Sequence, residues 1–288
     1  MEGNIIWLAS YPKSGNTWLR IFLSNLLNEK DEPADINNLD GGPISSARLI
    51  FDNLLGVESG HLTKEEINFY LPKVHTLRSS QLQQKQFVKS HDAYTFNKEG
   101  KPIIPNEATF RAIYLLRNPL DVCVSFAHHS GHSNYDKMIA SMANSKNKLA
   151  KSKRMQNSQL HQNMGTWSEH VQSWQNGMPD RTLMVRYEDM KHNSLETFSK
   201  IAAFAELEHT TAEIEQALEF SSISRLQEQE KEKGFRERMG QSKSFFRKGK
   251  TGSWREELSE EQAQKIIEAH REVMEEFGYL DKDGEVVY

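Results

Sequence analysis

The sequence has a single cysteine, Cys123, so no internal disulfide can form; that usage fits a reducing compartment. Long apolar runs are missing too. The longest near the N-terminus is Ile5 to Ala9, preceded by Glu2 rather than by a basic segment. Such a run is neither a signal peptide nor a membrane anchor. Nor is there an excess of positive charge. A net charge of −4 over 288 residues gives no global attraction to nucleic acid or anionic membrane, so any basic site must be local. No repeat period is visible, and no linker separates two domains. These absences lead us to expect a soluble cytoplasmic protein of one domain, residues 1–288, with no nucleic-acid or membrane partner. With 37% apolar and 26% charged residues, composition is ordinary for a globular chain, and the length allows an ample core.

What is present reads as strands alternating with helices. Ile5 to Ser10 (IIWLAS) is a short β-branched and aromatic run, as expected of a buried strand. From Thr17 the apolar residues Trp18, Leu19, Ile21, Phe22, Leu23, Leu26 and Leu27 recur at helical spacing. Further strands are predicted over Phe87–Ser90, Phe110–Leu116 and Thr182–Arg186. Helices are predicted over Leu120–His128, with Pro119 near the first turn, and over Ser194–Phe204. Near the end, Ser259 and Gln262 make a capping box ahead of an apolar stripe from Ile266 to Phe277, closed by Gly278. The alternation predicts an α/β fold with a central parallel sheet flanked by helices. Two stretches resist it. Residues 29–86 are polar and turn-rich with weak helical periodicity, which suggests an insertion after the first helix. From Lys137 to Ser168 there are six Lys or Arg and no acidic residue. That stretch reads either as a solvated helix or disordered loop, or as a mobile basic lid over an anionic site.

The junction YPKSGNTW, residues 11–18, carries the clearest chemistry. A turn from a parallel strand into a helix presents backbone N–H groups and the positive end of the helix dipole. Gly15 lets the backbone come close, Ser14, Asn16 and Thr17 add donors, and Lys13 adds a full charge. This suits a phosphate or sulfate, although an ordinary tight turn with a surface lysine would look similar. It is not a Walker A loop, which needs Lys after its second Gly and a hydroxyl for Mg²⁺; Lys13 instead precedes the only Gly.

Three further stretches join it: RAIYLLRNPLDVCVSF (111–126), VRYEDMK (185–191) and FFRKGKTGSW (245–254). Taken in this order with YPKSGNTW, they resemble the sulfotransferase family that uses 3′-phosphoadenosine 5′-phosphosulfate (PAPS). The resemblance implies a P-loop-nucleotide-hydrolase-like α/β fold and adenosine 3′,5′-bisphosphate as the nucleotide product, with no metal. It implies that Lys13, Ser14, Gly15, Asn16, Thr17 and Trp18 hold the 5′-phosphosulfate, with Lys13 reaching the bridging oxygen. Arg117 and Ser125 match one half of a grip on the 3′-phosphate, and Arg247, Lys248 and Gly249 the other. Tyr187 matches a residue near the adenine. Ser221 and Ile223, in SSIS (221–224), match a further nucleotide contact, with Ile223 where an aromatic is usual. Ser253 stands where the family has Asp, and no dimer-forming pattern follows Trp254, so monomer and homodimer both stay open.

Sulfuryl transfer to an alcohol needs a group to take the hydroxyl proton, and neutral histidine suits this near pH 7. FVKSHDAY (87–94) puts His91 just past a strand, with Lys89 two residues earlier on the same face, and resembles the family's Lys-Thr-His segment. His128 and His132 are spaced to clamp a metal if helical, but Gly131 weakens that helix and no carboxylate or cysteine sits suitably. Cys123 reads as a small core residue. The expected function is sulfuryl transfer from PAPS to a hydroxyl, or an amine, of a small-molecule acceptor. Two alternatives are a P-loop-like nucleotide kinase or ATPase, which would need Mg²⁺, and a nucleotide-binding protein without catalysis.

Overall fold

The computed structural model describes residues 2–28, 31–150, 157–238, 244–246 and 249–288. In chain order the first elements are β1 (Ile5–Ser10), α1 (Asn16–Leu26), α2 (Arg48–Leu55), α3 (Lys64–Ser80), β2 (Gln86–Ser90) and β3 (Thr109–Leu116). Then come α4 (Pro119–His129), α5 (Tyr135–Met142), β4 (Lys148–Leu149), β5 (Gln162–Asn163), α6 (Trp167–Gly177) and β6 (Thr182–Arg186). The chain ends with α7 (Tyr187–His192), α8 (Ser194–Phe204), α9 (Thr211–Phe220), α10 (Ile223–Lys233) and α11 (Glu260–Glu276).

A central parallel sheet runs in the order β2-β1-β3-β6 and is flanked by helices, as the alternation predicts. Every residue of β1 is buried, which fits a near-continuous apolar run covered on both faces. Its register against β2 runs from Ile5 opposite Gln86 to Ala9 opposite Ser90. Because the chain crosses from β2, on one side of β1, to β3 on the other, the strand order reverses at β1. In open α/β sheets the ligand crevice lies outside the strand carboxyl ends at such a reversal.

The described residues group into two compact units, each assembled from separate stretches of chain. The first comprises Met1–Tyr11, Gly41–Tyr114 and Asn144–Met184. Part of its core is formed by Phe51 of α2, Ile67, Leu71 and Val74 of α3, and Ile103 and Leu160. Residues 29–86 thus hold two helices, α3 being 17 residues long, where the sequence suggested little regular structure. Only a narrow face of α3 is apolar, and Pro72 interrupts the pattern. Its N-terminal signal is nevertheless clear: Thr63 and Glu66 form a reciprocal capping box. The basic stretch 137–168 falls partly outside the described residues, at 151–156; the rest contributes α5 and the antiparallel pair β4–β5.

The second unit comprises Pro12–Asp40, Leu115–Ala143 and Val185–Tyr288. Helix α1 starts at the left-handed Gly15 and buries Leu19, Phe22, Leu23 and Leu26, spaced for one face. Ile21 joins Ile36, Leu226, Phe235 and Phe246 in a separate cluster. Asn118 caps α4, with Pro119 in its first turn where the missing N–H costs nothing. The capping box at Ser259 and Gln262 forms as read from the sequence.

Candidate active site

The turn after β1 carries two residues in the left-handed region, Lys13 (φ 73°) and Gly15 (φ 100°). For Lys13 that conformation is strained, a cost that functional sites commonly carry. Gly15 is required: a Cβ there would lie 2.7 Å from Cδ2 of Tyr187. Among the described residues no side chain caps α1, whose positive dipole end faces the turn. Ser14 Oγ is buried with no hydrogen-bond partner among the described residues. The Lys13 ammonium sits 4.2 Å over the ring of Phe245, and its carbonyl accepts from Arg117 at 3.4 Å.

Arg117 is the hub of this unit. Just beyond β3, it is 8% exposed and stacks its guanidinium 4.3 Å over the Tyr187 ring. Nη2 donates to Asp121 Oδ2 at 3.2 Å and to the Lys250 carbonyl at 3.0 Å. Nε is buried and has no partner among the described residues. Burial alone would lower the guanidinium pKa, but Asp121, Tyr187 and Glu188 outweigh it and hold the group more firmly charged than usual. Asp121 also accepts from the backbone N–H of Gly252 and Trp254 and from the Ser253 hydroxyl, at 2.9, 3.1 and 3.0 Å. One carboxylate therefore joins Arg117 to the loop that follows Gly249. The sequence reading missed Asp121, although its place four residues after Arg117, in the first turn of α4, was a usable signal.

Other predicted residues gather around the same hub. The Trp18 and Tyr187 rings meet edge to face, 5.9 Å between centroids. Trp18 Nε1 donates to the Ser221 carbonyl at 3.1 Å. The Ser221 hydroxyl donates to Ala217 O and accepts from Asn25, which engages it in holding the end of α9. Ile223 opens α10, and a Cβ on Gly249 would lie 3.4 Å from its side chain. Asn16 and Thr17 form the first turn of α1, and Ser125 is half-buried on α4. Arg247 and Lys248 lie outside the described residues.

His91 and Lys89 belong to the first unit. His91 Nδ1 lies 2.9 Å from the Ser10 carbonyl, which can only accept, so Nδ1 carries the hydrogen. In the neutral ring the lone pair is then on Nε2. Lys89 is half-buried in β2, its backbone bonded to Gly41 O and Ser45 N, each at 2.8 Å. The neighbouring Asp92 is buried, and burial pushes its carboxyl up to about 7 against the N–H of Asn163 and the charge of Lys148.

The remaining candidates have other roles. Helix α4 ends at His129, so His132 does not continue it, and His128 Nε2 lies 3.3 Å from both Tyr135 Oη and Glu257 Oε2. Among the described residues no group of three or more His, Cys, Asp or Glu is placed to hold a metal ion. Cys123 is fully buried, and burial pushes its thiol up to about 12, as befits a core residue rather than a nucleophile. No described helix is long and apolar enough to cross a membrane.

The family model for the sulfotransferase domain matches residues 4–278. The chain is similar to sulfotransferase 2A1 of Rattus norvegicus, 26% identical over 280 residues that cover 94% of this chain and 84% of that one. It is also similar to cytosolic sulfotransferase 12 of Arabidopsis thaliana, 26% identical over 270 residues, covering 91% of this chain and 74% of the relative. Its fold is similar to that of retinol dehydratase in complex with androsterone and inactive cofactor PAP. There the TM-score is 0.63 and the identity 18%, covering 100% of this chain and 83% of the other.

Proposed function

The chain belongs to the sulfotransferase family, and from that premise we propose that it moves the sulfuryl group of PAPS to a hydroxyl, or an amine, of a small-molecule acceptor. The observation that carries this reading is a pair of buried polar atoms without partners among the described residues, Ser14 Oγ and Arg117 Nε, beside a helix N-terminus that no described side chain caps. Burying such atoms unmet costs about 1–3 kcal/mol each, so a bound anion would supply what they lack. The glycine at position 15 lets the turn lie close against the Tyr187 ring, where a Cβ would come within 2.7 Å. The residues fit a nucleotide carrying phosphate and sulfate groups.

In this reading the α1 N-terminus, with Lys13 to Thr17, holds the 5′ side of the nucleotide, and Arg117 with Ser125, Arg247, Lys248 and Gly249 holds the 3′-phosphate. Tyr187 and Trp18 flank the base and ribose, with Ser221 and Ile223 near them. When bound, PAPS supplies a sulfuryl group already activated on a phosphate leaving group. His91 takes the acceptor hydroxyl proton at Nε2, because Nδ1–H is given to Ser10. Lys13 meets the charge that grows on the bridging oxygen as the sulfur–oxygen bond breaks, and Lys89 supports the sulfonate in transit. Residues 29–86 and 137–168 then belong to the acceptor side. A cytoplasmic location goes with the reading, supported by the cytosolic name of the Arabidopsis relative.

The test is incubation with PAPS and a panel of phenols, sterols and glycosides, with and without EDTA. Sulfated product should form in both. Turnover that EDTA abolishes and Mg²⁺ restores would favour a kinase-like enzyme. Tight adenosine 3′,5′-bisphosphate binding with no turnover of any panel member would favour a binding protein without catalysis. His91→Ala should lower kcat by about 10²-fold or more while leaving nucleotide affinity within a few-fold.

A further inference from the structure

The residue that would act as base lies beyond the end of β2, where strand pairing no longer fixes the backbone, yet the His91 and Asp92 carbonyls and the Tyr94 N–H are all met from one helix. His170 Nε2 lies 3.1 Å from the His91 carbonyl. Trp174 Nε1 donates to the Asp92 carbonyl at 2.9 Å, and Ser173 Oγ accepts from Tyr94 N at 2.9 Å. Positions 170, 173 and 174 lie on one face of α6, three and four residues apart. His170 and Trp174 are fully buried. Gly177, on the last turn, lets the helix come this close, since a Cβ there would lie 2.3 Å from Cδ1 of Tyr94. On a separate contact, Asn163 N donates to Asp92 Oδ1 at 2.8 Å and Ala93 N donates to Asn163 O at 2.7 Å.

His170 is more than a packing residue in this arrangement. The carbonyl of His91 can only accept, so Nε2 of His170 carries the hydrogen; Nδ1 then accepts from the Tyr114 hydroxyl at 2.8 Å. Both ring nitrogens are committed, and the tautomer is fixed. Burial keeps the ring neutral by pulling its pKa down to about 4. The His91 residue is thereby held at two points, its imidazole by Ser10 of β1 and its carbonyl by His170 of α6.

We propose that His170, backed by Tyr114, is a positioning residue for the base, and that the 170–173–174 face of α6 serves to set the aim of His91. The proposal rests on the reading of His91 as the base. Loss of the His170 donor should release the His91 backbone, and a misplacement near 1 Å can cost on the order of 10²-fold in rate.

The experiment compares His170→Phe, which keeps a ring but removes both nitrogens, with His170→Gln, whose amide N–H can reach the His91 carbonyl. The rate is sulfuryl transfer to whichever phenol of the panel turns over best, and adenosine 3′,5′-bisphosphate affinity is measured alongside by calorimetry. We expect His170→Phe to lower kcat on the order of 10-fold to 10²-fold with nucleotide affinity within about twofold, and His170→Gln to recover most of the loss. In a His91→Ala background the residual rate should not respond to His170→Phe, since nothing is left to aim. A folded His170→Phe enzyme whose kcat stays within twofold, while His91→Ala is inactive, overturns the positioning role and leaves the base intact. A fully active His91→Ala enzyme removes the base itself, and the proposal with it. Should His170→Phe fail to fold, Ser173→Ala carries the same comparison: a kcat loss at unchanged nucleotide affinity supports the proposal, and unchanged kcat overturns it.

Discussion

Replacing Asp121 by asparagine removes a single charge from the point where two distant parts of the second unit meet. The carboxylate is 1% exposed and receives four donors. Oδ2 takes Arg117 Nη2 and Gly252 N, while Oδ1 takes the Ser253 hydroxyl and Trp254 N. An amide keeps the shape but turns one oxygen into an NH₂ group, which then faces two donors whichever way it flips. In the orientation that keeps Oδ1, Arg117 loses a charge-assisted bond worth about 1.5–3 kcal/mol, and the Gly252 N–H is left unmet at about 1–3 kcal/mol. The total, about 2.5–6 kcal/mol, brackets the roughly 3–5 kcal/mol usual for breaking a buried ion pair by removing one partner. Folded proteins have roughly 5–15 kcal/mol to lose, so the variant should still fold at 25 °C with a clearly lower urea midpoint. Its functional effect should be selective. With Arg117 re-aimed and the loop untethered, adenosine 3′,5′-bisphosphate binding should weaken tenfold or more, and adenosine 5′-monophosphate binding only a few-fold. Urea denaturation and calorimetry on the two nucleotides measure both. A variant with the parent's urea midpoint and undiminished bisphosphate affinity would refute the view of Asp121 as the link.

Arg117→Ala and Arg247→Ala should each weaken the 3′,5′-bisphosphate by roughly 10- to 100-fold, the equivalent of about 1.5–3 kcal/mol, and barely alter the 5′-monophosphate; equal weakening of both ligands would show that the arginine does not read the 3′-phosphate. Gly15→Ala combines a φ of 100° with a Cβ 2.7 Å from Tyr187, so nucleotide affinity should fall at least tenfold, and a titration showing parent-like affinity would mean that the turn is more compliant than its geometry indicates. Stability should drop steeply in acid: burial pulls His75 to about 3 and His161, His170 and His270 to about 4, so each stays neutral in the fold while the unfolded chain takes up its proton below the usual 6.5. Their stabilising effect is present above pH 6.5 and lost as pH falls. Asp92, raised to about 7, opposes them, because its stabilising proton is lost as pH rises through that value. Near pH 5 the four histidines less this one carboxyl leave a net uptake of about three protons, or roughly 4 kcal/mol per pH unit. Urea midpoints at pH 7, 6 and 5 would expose a flat profile, the outcome that contradicts it.

The sequence by itself determined the elements whose signals are local. Strand β1 was legible because a strand covered on both faces must be apolar at every position, and Ile5 to Ala9 is such a run. Helices α4 and α11 were legible from Pro119 and from the pair Ser259 and Gln262, since a helix end satisfies its orphan N–H groups within a few residues. The turn into α1, where we propose that an anion is held, was legible for the same reason: Lys13, Gly15 and the α1 N-terminus are adjacent positions. Helices α2 and α3 escaped notice because a helix covered on one side shows only a narrow apolar stripe, here interrupted by Pro72. Only the tertiary structure decided that Asp121 would collect Gly252, Ser253 and Trp254, or that His170 would hold the carbonyl of His91. Nothing in an isolated aspartate or histidine indicates its partner. The choice comes from packing, which brings distant backbone groups into the dry interior and leaves each one needing a donor or acceptor already in place.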